Sequence, residues 1–219
     1  MAAVITAVAG AGLAVIAHLS GWQIGASEAG GVLPEAEPVT VFSQVCDPTA
    51  AQSVPVQRTV TYGVETLGGV SQDTESFARG LGLILTNRCG WARAGISFER
   101  SEDAPEMFLV LASPAEVEAA AEGCSAEYSC RVQERVLIND VRWTEATEPW
   151  QRAGLSLGGY RHMVVNHEVG HFLGFDHTGC PAEGQPAPLM QQQSKSLDGC
   201  TFNPWPLEEE ITLAAGRAG

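Results

Sequence analysis

The sequence predicts an α+β fold. Segments rich in β-branched and apolar residues recur through the middle of the chain, at "RTVTYGVE", "GISFER", "MFLVLAS" and "RVLIND", and each reads as a strand. Two longer stretches, around Phe77 and around Met163, carry apolar residues as helices do. No internal repeat is present. The glycine pairs Gly10/Gly12 and Gly80/Gly82 lack the strand–loop–helix context of a nucleotide site.

Taken in order, residues 1–22 open with the apolar run "MAAVITAVAGAGLAVIA", and no Lys or Arg precedes Arg58. This segment is expected to be a signal peptide or a short membrane anchor, and is the only expected membrane contact. Residues 23–57, rich in Pro, Gly and Ala, read as a stalk. A domain is expected over residues 58–219. Its first strand, 58–65, leads to Ser71 as a helix cap, with Phe77, Leu81 and Ile84 forming one apolar face and Gly90 closing the element. Strands at "GISFER", 107–113 and 135–140 follow. A helix over about 160–173 ends at Gly174, a loop carries "PAPLMQQQ", and a last short helix, "PLEEEITLAA", has Pro206 near its start.

Hydrophobic content of 45% and charged content of 17% are those of a globular protein. The net charge of −14 excludes a nucleic-acid partner, which requires clustered Lys and Arg. The acidic excess between Glu102 and Glu148 reads as a solvated face. Calcium sites or a preference for basic substrates are the alternatives, and Ca2+ has no further support. Six cysteines without a C-x-x-C pair favour disulfides over structural zinc, and so an oxidising compartment. Sequence neighbours suggest Cys124–Cys130 and Cys180–Cys200, leaving Cys46–Cys89 by elimination. An extracellular or cell-surface monomer is expected.

The chemistry concentrates in "NHEVGHFLGFDHTGC", which holds three of the five histidines. His167 and His171 lie four apart, on one helical face, where two imidazole nitrogens can meet one ion. Glu168 stands beside the first, able to reach a water at the metal without being a ligand. Gly174 permits the left-handed turn that brings His177 round as a third ligand. Three protein ligands and one open position make a catalytic Zn2+ site. Asp176 is the weaker candidate for third ligand. His162, five residues before His167, is expected at the surface, and the tryptophans Trp91, Trp143, Trp150 and Trp205 as core or cleft-wall aromatics.

"HEVGHFLGFDH" matches the metzincin signature of zinc peptidases, and "PLMQQQ" resembles the Met-turn that follows it. The resemblance implies a twisted mixed sheet with two long helices above a zinc cleft, the second carrying the motif. A small lower subdomain with the Met-turn and a C-terminal helix follows. It implies Glu168 as catalytic base, His167, His171 and His177 as metal ligands, Gly174 as turn glycine, and Met190 beneath the metal. The segments "CSAEYSC", "NDVRW" and "CTFNPWP" are also similar to a group of exported actinobacterial proteins with a zincin motif. Thr178 departs from the residue that marks the better-known subfamilies, and Gln192 stands where some place a transition-state tyrosine. "RCG" at Cys89 resembles the thiol switch of matrixin prosegments, but it sits inside the domain and Cys89 is needed for pairing.

The function expected is a zinc-dependent endopeptidase acting on a peptide or protein, with Glu168 moving the proton between attacking water and leaving amine. Substrate is expected to lie along an edge strand at 135–140. The alternatives are a non-catalytic, zinc-stabilised binding module at the cell surface and a hydrolase of a non-protein, cell-wall amide.

Overall fold

The computed structural model describes residues 46–47 and 54–218; the expected signal or anchor and most of the expected stalk lie outside them. β1 (Arg58–Leu67), β2 (Ile96–Arg100), β3 (Met107–Ala112), β4 (Cys130–Val132) and β5 (Arg135–Asn139) form one sheet in the order β2-β1-β3-β5-β4. The β1–β2, β1–β3 and β3–β5 pairs are parallel, and only β4 runs antiparallel, against β5. Parallel neighbours need crossovers, which explains why helices interleave with strands here.

Both faces of the central strands are covered, so "MFLVLA" reads as a continuous apolar run rather than an alternating one. Leu109, Leu111, Val136 and Ile138 meet the main core, which includes residues of α1 (Thr74–Leu85) and α5 (Leu157–Phe172). Val110, Ala112 and Leu137 meet Val117 of α2 (Pro114–Ala120) on the opposite face. The short helices α3 (Asp140–Glu145) and α4 (Glu148–Arg152) precede α5, and α6 (Glu208–Ala218) ends the described chain. Trp91, Trp143, Trp150 and Trp205 are all buried in the main core.

Three expectations are corrected. Asp73, not Ser71, caps α1, because its carboxylate accepts from the Ser76 N–H at 2.8 Å. Ser71 instead donates its N–H and hydroxyl to Asp140 at the start of α3. Nor does Gly90 close α1: the helix ends at Leu85, where the Thr86 hydroxyl donates back to the Gly82 carbonyl at 2.7 Å, and Gly90 opens a single 3-10 turn at Trp91–Ala94. The strand at 135–139 is not an edge, because the three-residue β4 lies outside it.

The sulfurs pair as Cys46–Cys89, Cys124–Cys130 and Cys180–Cys200, and no described cysteine is free. Such disulfides belong to a protein that matures in an oxidising environment. Among the described residues no helix is long and apolar enough to cross a membrane.

Candidate metal centre

α5 begins at Ser156, whose hydroxyl accepts from the Gly159 N–H, and it is buried almost all round from Tyr160 to Gly170. It ends in a Schellman motif. Gly174 has φ +89, its N–H donates to His171 O, and the Phe175 N–H donates to Gly170 O at 3.0 Å. That reversal carries His177 back over the last turn of the helix.

His167, His171 and His177 converge so that one nitrogen from each lies within 4.8 Å of the others. The His171 and His177 Nε2 atoms are 3.0 Å apart. His167 Nδ1 lies 2.7 Å from Leu189 O and His171 Nδ1 lies 2.8 Å from Phe175 O, so both rings donate through Nδ1 and leave Nε2 as a lone pair. Burial pulls His167 down to about 3 and lowers His171 and His177 as well, so all three are neutral at pH 7. Three neutral imidazoles with orienting carbonyls are a donor set that fits a divalent transition metal such as zinc.

Glu168 is 6% exposed, and burial pushes its carboxyl up to about 8, opposed by the charge of Lys195. It lines the same cleft as the histidines, a space of about 400 Å³. One wall is the disulfide-closed loop Cys124–Cys130 with Arg131 of β4; the other is Gln192–Lys195. Asn139, fully buried at the end of β5, holds the first wall: its side-chain amide donates to Ala126 O and its backbone N–H to the Ser129 hydroxyl.

Met190 is fully buried in a turn whose Gln191 N–H donates to Pro188 O. A Cβ placed on Gly170 would collide with the Met190 sulfur and meet Trp91 at 3.0 Å. Glycine is therefore what lets this turn press against α5 between the two helical histidines. Glu210 of α6 anchors the turn from below, accepting the N–H groups of Leu189, Met190 and Leu207 at 3.0, 2.8 and 2.7 Å. The carboxylate thus fixes the segment whose Leu189 carbonyl orients His167.

The structure brings together His167, Glu168, His171 and His177, with Gly174 at the reversal and Met190 packed against the helix. Asp176 and Gln192 line the cleft, and Asp176 lies outside the three-histidine group. With Cys89 in a disulfide, no thiol remains there for a metal. His162 is not a surface residue: it is partly buried, its ring centroid 4.7 Å from that of Trp205, and burial lowers its pKa to about 4. The reason is that α5 is central, so the face opposite the cleft is also covered. Sequence reasoning missed Gly170, Asn139, Glu210 and the cationic pair Arg131 and Lys195. Only Lys195, as the single lysine of the chain, carried a visible signal.

The profile of a family described as "Protein of unknown function (DUF3152)" matches residues 28–211. The chain belongs to that family. Among solved structures it is similar to archaemetzincin from Methanopyrus kandleri, at 10% identity and a TM-score of 0.41, over 73% of this chain and 95% of that one. No curated protein matches the sequence.

Proposed function

We propose that this chain is a zinc-dependent endopeptidase of metzincin type, with residues 58–219 as its catalytic domain, exported and acting as a monomer. The observation that carries the reading is a buried carboxyl, Glu168, next in sequence to one of three converging neutral histidines. Zinc in such a set supplies Lewis acidity toward a carbonyl and toward water. His167, His171 and His177 would hold it through Nε2. Glu168 takes a proton from the attacking water and delivers it to the leaving amine; its buried place in the cleft beside the three histidines suits both halves of that task. The backbone of β4, the strand that borders the cleft, is the partner for an extended substrate.

A binding module that uses zinc only for stability leaves Glu168 without purpose, since burying an ionisable carboxyl beside the ligands costs stability. The oxidised, zinc-loaded protein is expected to bind one zinc and to cut a diverse peptide pool. Glu168→Gln is expected to keep the zinc and lose about 10²–10⁴-fold in cleavage rate. Undiminished cleavage by that variant would refute the role of Glu168. A loaded protein that cuts no peptide, but opens a cell-wall amide, would move the assignment to the non-protein substrate.

A further inference from the structure

The cleft carries two cations with no carboxylate partner among the described residues. Lys195 is the only lysine in a chain of net charge −14, and it lines the cleft five residues beyond Met190. Its Nζ lies 5.3 Å from the centroid of Tyr128 on the facing wall. Arg131 is the middle residue of β4, in register with Val136, whose side chain enters the core on the α5 side of the sheet. Residues in register share a face, so Arg131 leaves the edge of the sheet toward α5 and lines the same cleft. Five arginines elsewhere are paired with glutamates, and four more donate to nearby hydroxyl or carbonyl oxygens. Among the described residues neither Arg131 nor Lys195 has a carboxylate within ion-pair distance.

We propose that Lys195 and Arg131 form a carboxylate-recognition subsite beside the three histidines, so that the cleft selects peptides bearing an acidic side chain or a free C-terminal carboxylate near the bond to be cut. The selection of a cleaved peptide rests on the peptidase reading; the binding preference does not. Both cations act electrostatically on the centre, Lys195 on His167, Glu168 and His177, and Arg131 on His171. Asp176 is the opposing charge at the rim, exposed. The acidic surface repels an acidic peptide at long range, but screening over about 8 Å at physiological salt leaves the nearest charges to decide the bound state.

The test uses the full chain carrying Glu168→Gln, with and without zinc, and three fluorescent peptides of one apolar sequence. One has an internal Glu and an amidated end, one an internal Gln and an amidated end, and one an internal Gln and a free C-terminus. At least one carboxylate peptide is expected to bind about fivefold more tightly than the neutral one, the scale of a partly exposed charge pair. The peptide that gains identifies the source of the carboxylate. Persistence of the gain without zinc excludes direct ligation as its origin. Lys195→Gln with Arg131→Gln is expected to bring the ratio to one; both side chains are exposed and only the Lys195 contact with the Tyr128 ring is lost, so thermal unfolding should change little. Equal affinity for all three peptides, a preference confined to the zinc-loaded protein, or a preference that survives the double substitution overturns the subsite. Binding without preference, accompanied by cleavage in the native sequence, leaves the peptidase reading intact. Preference without cleavage does the reverse, and no binding of any peptide sinks both.

Discussion

The sheet with its helices and the long connection from Phe175 to Leu207 are held by different forces. Above, Leu109, Leu111, Val136 and Ile138 are 0% exposed, and the layer coheres by apolar burial around regular elements. Below, there is no helix or strand, only one isolated bridge, Pro186 to Thr201. Buried amides stand in for secondary structure there. Asn203, 0% exposed, donates to Ala187 O and Trp205 O and accepts from the Trp205 N–H. Gln193 donates to Asn203 O at 2.8 Å and accepts from the Asn203 N–H at 2.9 Å. The Cys180–Cys200 disulfide closes the segment. The difference teaches that the histidine-bearing helix is positioned by the upper layer, while the orientation of His167 is set by the lower one, through Leu189 O.

That contrast is open to direct attack. Glu210→Ala removes the acceptor of three backbone N–H groups and is expected to cost about 3–4 kcal/mol, with zinc affinity falling at least about tenfold because Leu189 O is no longer held. Val110→Ala, in the small core on the far face of the sheet, is expected to cost about 2 kcal/mol and leave zinc affinity unchanged. Denaturant unfolding paired with a zinc competition titration reads both. Equal effects on zinc from the two variants would abolish the distinction between the layers.

Gly170→Ala tests the contact between them. The added methyl collides with Met190 and Trp91, and about 2–3 kcal/mol of destabilisation is expected, against the gain that Ala normally brings inside a helix. A stabilised Gly170→Ala protein would show that the turn has room to retreat.

The smallest effect concerns His162, behind the helix. Its folded pKa is depressed to about 4 by burial, so below about pH 6.5 the unfolded chain takes up a proton that the folded one refuses. Stability contributed by this site is therefore lost as pH falls from about 6.5 toward 4, by about 1–2 kcal/mol once partial exposure is allowed for. His162→Phe is expected to remove that slope, measured as the difference between the two proteins in thermal midpoint against pH. Identical slopes would mean that His162 is solvated.

The sequence by itself determined the α+β class, the strands at 58, 96, 107 and 135, the helix around 160–173 and its stop at Gly174. It also determined the convergence of His167, His171 and His177. These follow from local rules: strand and helix periodicity, the four-residue helical repeat, and the left-handed conformation that glycine tolerates. Only the tertiary structure decided that β4 rather than β5 forms the edge, that His162 is covered, that Gly170 must be small, and that Glu210 fastens the turn under His167. Each of those depends on what lies across from a residue after the chain has crossed the sheet or returned through an irregular loop. Periodicity carries no record of such partners: a buried Glu in a helix and an exposed one, such as Glu210 and Glu209, look alike in the sequence, and only long-range packing separates them.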